Sequence, residues 1–272
     1  MQLPGSGCEG TNGTDGTNGT NPSHLSHLSH SSQYPMFYPT LTTGRPRRKI
    51  FDLTMYPAGN LFIDVPHGRL EAILKDPREP AVRGAALVLH PHPLGGGTMH
   101  NKVVFRAAAA LNEAGLVTLR INFRGVGQST GTHDEGHGER DDALAGLDYL
   151  VQHYPGQEIT VCGFSFGARV GLEVGIKDDR VARLISIGTP VDKYDFNFIA
   201  SCRKPILFVH GEHDEYGNVE RLRALIDTIE APVKLAVIKG AGHFFDDQLD
   251  ELKRAIREWM VNEAGRPLSR GN

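Results

Sequence analysis

Cysteine is scarce in this 272-residue chain: Cys8, Cys162 and Cys202 are an odd number at wide spacing. No disulfide framework and no Cys-x-x-Cys metal pair can be built from them. Long apolar runs are missing as well. Nowhere do eighteen consecutive apolar residues occur, so no segment reads as a membrane-spanning helix, and the first thirty residues hold no apolar stretch of signal-peptide length. Nor is there an excess of basic residues. Against 32 Asp and Glu stand 29 Lys and Arg, a formal net charge of −3, which offers no overall attraction to a phosphate backbone. These absences point away from nucleic acid and membranes as partners and toward a cytoplasmic protein.

The start of the chain lacks the means to build a core. Gly, Thr, Asn and Ser dominate residues 1–34, with a Gly-Thr-Asn pattern from Gly10 to Asn21 and a Ser-His-Leu repeat from Ser23 to His30. Such a composition buries too little apolar surface to order itself. With the basic knot Arg45, Arg47, Arg48 and Lys49, read as a solvated linker, it makes residues 1–48 a disordered polar tail, or a stretch upstream of a later start at Met36 or Met55. His24, His27 and His30 are read as part of that tail rather than as metal ligands. Residues 49–272 are long enough for one catalytic domain with a well-buried core.

What is present in that domain is an alternation of short apolar runs and amphipathic stretches. Residues 61–65 and 70–74 read as an opening hairpin around His67-Gly68, and further strands are expected at 86–89, 116–119, 159–162, 184–187, 206–209 and 235–238. Helical spacing links Ala143, Leu147, Leu150, Val151 and Tyr154, and again Leu249, Leu252, Ile256, Trp259 and Met260. These stripes are core faces. Two antiparallel strands followed by a βα alternation predict an α/β fold with a doubly wound, mostly parallel, eight-stranded sheet flanked by helices. In such sheets the reactive groups gather beyond the carboxyl ends of the strands.

Three strand ends carry chemistry. Gly163-Phe164-Ser165-Phe166-Gly167 follows the strand ending at Cys162 and runs into an apolar helical stretch. The Gly-x-Ser-x-Gly pattern alone is weak in a chain with 32 glycines, but between strand and helix it reads as a nucleophile elbow, where the flanking glycines avoid collisions. A serine hydroxyl needs a base and a carboxylate. Asp214 follows the strand at 206–209 and His243 follows that at 235–238, in the chain order Ser, Asp, His expected of such an elbow. Glu212 and Glu215 are rival carboxylates. For the oxyanion hole, the backbone N–H groups of Phe166 and of His92, in the loop His90-Pro91-His92-Pro93-Leu94-Gly95-Gly96-Gly97, are the candidates.

Other motifs are read more plainly. His90, His92, His100, His133 and His137 lack the spacing of a zinc site, and no metal or other cofactor is expected. Gly125-Val126-Gly127-Gln128-Ser129-Thr130-Gly131 is neither GxGxxG nor a Walker A loop, so a nucleotide site is not expected either.

Together with Gly96-Gly97-Thr98-Met99, Asn101-Lys102-Val103-Val104 and Arg120-Ile121-Asn122-Phe123-Arg124-Gly125-Val126-Gly127-Gln128-Ser129, these motifs make the chain resemble the α/β-hydrolase superfamily. Within it, residues 58–262 look like small bacterial hydrolases related to dienelactone hydrolases and carboxylesterases. The resemblance implies an esterase-like serine hydrolase, with Ser165, Asp214 and His243 matching the triad and His92 and Phe166 the oxyanion positions. Dienelactone hydrolases carry cysteine where this chain has Ser165, so their substrate is not carried over. Only residues 189–204 separate the sixth strand from the seventh, too few for a full cap. An open site edged by Tyr194, Phe196 and Phe198, acting on a small-molecule acyl substrate, is therefore expected, with a homodimer left open. A thioesterase or peptidase would use the same triad, and the same fold can host a lyase or a non-catalytic binding protein.

Overall fold

The computed structural model describes residues 60–77 and 82–264. The polar tail expected at residues 1–48, with its histidines and the boundary at residue 49, lies outside the described residues.

The fold is an eight-stranded, mostly parallel α/β sheet. Its strands are β1 (Asn60–Val65), β2 (Gly68–Lys75), β3 (Gly84–Leu89), β4 (Leu116–Ile121), β5 (Ile159–Phe164), β6 (Val181–Ile187), β7 (Ile206–Gly211) and β8 (Val233–Ile238), and its helices are α1 (Lys102–Glu113), α2 (His137–His153), α3 (Phe166–Lys177), α4 (Val219–Ile226) and α5 (Leu249–Ala264). The strand order is β1-β2-β4-β3-β5-β6-β7-β8. The hairpin β1–β2 is antiparallel and β2 pairs antiparallel with β4, whereas every other pair is parallel.

Why the central strands are continuous apolar runs follows from this topology. Parallel strands need crossover helices, and those cover both faces of the sheet. Accordingly β3, β5 and β7 are buried at every residue. One face packs residues such as Leu87, Leu119 and Val161 against α2, α3 and α4 through Leu147, Val170 and Leu222. The other packs Val88, Cys162 and Leu207 against α1 and α5 through Val104, Leu111, Ile256 and Trp259. Local signals start the helices: the side chain of Asn101 accepts the Val103 N–H at the head of α1, and Asn218 accepts those of Glu220 and Arg221 at the head of α4.

The strand order also places the site. From β3 the chain steps to β4 on one side and then returns past β3 to β5 on the other, so a crevice opens beyond the carboxyl ends of β3 and β5. Leu89 pairs in register with Gly163, which sets the His90–Gly97 loop beside the Ser165 turn. Between β6 and β7 there is no cap domain, only a short 3-10 helix, Asn197–Ser201.

Candidate active site

Strand β5 ends and helix α3 begins within a single residue. Ser165 occupies that residue with φ 57° and ψ −117°, a left-handed-side conformation that costs a non-glycine residue about 1–3 kcal/mol. The turn is held by the Ser165 N–H donating to Ile187 O (2.9 Å) and by the Ser165 carbonyl accepting from Ala168 N (2.9 Å). The two flanking glycines are required by contact. A Cβ on Gly163 would overlap the Gly167 carbonyl, and one on Gly167 would lie 2.5 Å from the His90 carbonyl oxygen. The serine is left half-buried, open to a reactant.

The structure brings the other two predicted residues to it. His243 Nε2 lies 2.9 Å from Ser165 Oγ, and His243 Nδ1 lies 2.8 Å from Asp214 Oδ2 and 3.0 Å from Oδ1. A carboxylate only accepts, so Nδ1 carries the proton and Nε2 is the acceptor facing the serine hydroxyl. The Asp214 side chain is fully buried and that of His243 is 3 % exposed, which keeps water from competing for their bond. Asp214 is fixed in turn by the N–H groups of Tyr216 (2.9 Å) and Gly217 (3.1 Å), both on Oδ1.

The rival carboxylates have other partners. Glu212 accepts the Gly240 N–H at 2.8 Å, and Glu215 accepts the His243 backbone N–H at 3.2 Å; both clamp the turn after β8 to the turn after β7. His210, missed in the sequence reading, is fully buried and donates from Nε2 to Gly217 O at 2.7 Å, 3.8 Å from Asp214 Oδ2. Burial pushes its pKa below the ordinary histidine value, so it braces the Asp214 turn as a neutral ring.

Beyond β3, His90 spends both ring nitrogens on backbone. Nδ1–H donates to Pro91 O (2.6 Å) and Nε2 accepts from Phe123 N (3.0 Å). Burial is the main cause that lowers its pKa to about 4. His92 accepts the Leu94 N–H on Nδ1 (3.2 Å), and its ring lies 4.9 Å from that of Phe166. Among the described residues, no protein acceptor takes the backbone N–H of either His92 or Phe166. The glycine-rich 125–131 loop serves the sheet edge: Ser129 Oγ accepts from Glu71 N, and Thr130 N donates to Arg69 O.

The rim differs from the expectation. Phe196 is buried in the core, and Phe198 stacks on it at 5.8 Å, because the short segment between β6 and β7 folds back onto α3 and α4. Only Tyr194 of the three faces the site region, with its ring 6.4 Å from Phe166 and under the Arg169 guanidinium. Exposed apolar side chains beside His243 are Phe244 (39 %) and Tyr216 (37 %), the last packing its ring 4.6 Å from that of His243, and Leu94 (77 %) is exposed in the His90–Gly97 loop. Cys162 and Cys202 are buried, and burial pushes both thiols up, so neither is a reactive thiolate.

A sequence profile of the alpha/beta hydrolase fold matches residues 87–200. An alpha-beta serine hydrolase homologue from Coxiella burnetii is 40% identical with a TM-score of 0.70, over 73% of this chain and 95% of that one. The chain belongs to the alpha/beta hydrolase family. Two further relatives agree with this hydrolase. An uncharacterized protein of Rickettsia prowazekii is 37% identical over 74% of this chain and 88% of its own length. A Xanthomonas campestris alpha/beta serine hydrolase described as lacking a lid is 33% identical with a TM-score of 0.70, over 78% of this chain and 98% of that one. No helix among the described residues of the hydrolase is long and apolar enough to cross a membrane.

Proposed function

We propose that the protein hydrolyses carboxylic esters through an acyl-serine intermediate. The observation that carries this is the continuous bonded chain from Asp214 through His243 to Ser165 Oγ, set on a strained elbow beyond the sheet. As Oγ attacks the ester carbonyl, its proton passes to His243 Nε2, and the imidazolium so formed is stabilised by Asp214 on Nδ1. The tetrahedral oxyanion takes the N–H groups of His92 and Phe166, each worth about 2.7–4 kcal/mol where such donors have been removed elsewhere. Collapse expels the alcohol, which leaves with the proton from Nε2. Water then repeats the cycle on the acyl-serine, and no metal or organic cofactor enters these steps.

The short β6–β7 segment and the relative without a lid support an open site. Tyr216 and Phe244, packed against His243, offer apolar contact to an acyl or alcohol group, and the Lys193 ammonium over the Tyr216 ring adds a positive charge beside it. Ser165→Ala is expected to cut kcat on p-nitrophenyl esters by about 10⁶ and to abolish labelling by a fluorophosphonate. Equal labelling of the variant, or none of the wild type, would refute the reading. A higher kcat/KM on acyl-CoA thioesters or aminoacyl amides would replace ester hydrolysis by that activity.

A further inference from the structure

The triad leaves a second histidine–carboxylate pair unused. Glu139, in the first turn of α2, is fully buried, and His133 Nδ1 donates to its Oε1 at 2.7 Å with the His133 side chain only 9 % exposed. Glu139 also accepts the N–H groups of Asp134 (3.0 Å) and Gly136 (2.8 Å). Burial alone would raise its pKa, but these bonds outweigh it and hold the carboxylate below its ordinary range. A buried ionised carboxylate is costly unless every lone pair is used, and here it is used to aim one imidazole.

That imidazole packs against both residues whose N–H groups the oxyanion hole requires. The His133 ring is 4.8 Å from the His92 ring and 5.5 Å from the Phe166 ring. The same 122–136 loop touches both at a second level: Phe123 packs edge-on to Phe166 at 5.9 Å and donates its N–H to His90, two residues before His92. The loop is anchored from behind, since the Arg124 guanidinium bonds both oxygens of the fully buried Asp142 (2.8 Å to Oδ1 and 3.2 Å to Oδ2). Two donors on two separate loops must hold their spacing to within about 0.5 Å to serve one oxyanion. A rigid ring packed against both of their side chains, which also touch each other at 4.9 Å, and bonded to a buried anchor, is a means of doing so.

We propose that His133, oriented by Glu139, is a positioning residue that sets the spacing of the His92 and Phe166 N–H groups. This rests on the ester-hydrolase reading above. It touches no reacting atom, so its removal leaves Ser165 and His243 bonded while the oxyanion hole loosens.

The test uses the full chain and p-nitrophenyl acetate, with kcat expressed per site titrated by fluorophosphonate, and the inhibition constant of an aryl trifluoromethyl ketone, whose adduct carries an oxyanion. His133→Ala is expected to lower kcat about 100-fold, the scale for a misplacement near 1 Å, with KM changed by less than about threefold and ketone affinity falling in step with kcat. His133→Phe keeps the ring contacts but loses the bond to Glu139, and falls between wild type and Ala; it also serves if the Ala variant does not fold. The pH profile keeps its shape in both. Wild-type kcat per titrated site would overturn the proposal, whatever happens to thermal stability. So would a lowered kcat with unchanged ketone affinity. A wild type that neither labels nor turns over any ester fails at an earlier step and sinks the ester-hydrolase reading itself.

Discussion

Asp214→Asn isolates the part of the triad that geometry alone decides. Asp214 Oδ1 accepts two backbone N–H groups, from Tyr216 and Gly217, and an asparagine must keep its carbonyl oxygen there, since turning its NH₂ toward two donors would leave all of them unsatisfied. The NH₂ then occupies the place of Oδ2, which now faces His243 Nδ1 at 2.8 Å. A donor in that place selects the tautomer with Nδ1 bare and the proton on Nε2. The nitrogen 2.9 Å from Ser165 Oγ becomes a donor and cannot take the serine proton. The same change in a serine protease lowers kcat by about 10⁴, equivalent to about 5.4 kcal/mol of transition-state stabilisation. Initial rates on p-nitrophenyl acetate near neutral pH measure it, with thermal melts to show that the fold is kept. Glu212→Gln is the control, expected within about threefold of wild type because its partners, the Gly240 N–H and the exposed His213 ring at 3.7 Å, lie in an exposed turn. Near-normal turnover by Asp214→Asn, or an equal loss in Glu212→Gln, would refute the assignment of the orienting carboxylate.

Two further outcomes concern stability. His90 has a pKa of about 4 when folded against 6.5 as the ordinary value, so between these values the unfolded chain binds more protons than the native one. Stability from this group is therefore full above pH 6.5 and is lost as pH falls toward 4, on the order of 3 kcal/mol in total. Urea midpoints across that window should fall more steeply for wild type than for His90→Asn, and parallel curves would contradict this account. Gly163→Ala drives a methyl into the Gly167 carbonyl and is expected to cost more than about 3 kcal/mol or to yield no soluble protein. Gly156→Ala meets nothing within 4 Å, although its φ is +77°, and should cost only about 1–2 kcal/mol; similar melting temperatures for the two would show that contact is not what the elbow glycine relieves.

The eight strands, the antiparallel opening hairpin and the strand ends that bring Ser165, Asp214 and His243 together are legible in the linear chain for one reason. Each reactive residue follows directly on an apolar run, and a parallel sheet delivers such run-ends to one edge whatever the order of its strands. Periodicity likewise exposes α2 and α5, although of the stripe expected in α2 only Ala143, Leu147 and Leu150 enter the core and Val151 is exposed. It does not single out α1, where three of the four residues at 107–110 are buried alanines in a run that is alanine throughout, so no polar face marks the helical period.

What the tertiary structure alone decided lies where the chain leaves regular elements. In a turn there is no period to say which way a side chain points. Asp214 and not Glu212 faces His243 because the Tyr216 and Gly217 N–H groups capture it. Phe196 enters the core instead of the rim. The pairing of His133 with Glu139, and its packing against both His92 and Phe166, depends on three loops that meet only because β4, β3 and β5 are neighbours in the sheet. Sequence, through the run of apolar strands, determined that a serine would be raised beside a histidine. Strand order, by bringing remote loops within a few ångströms, determined what holds the rest of the site in place.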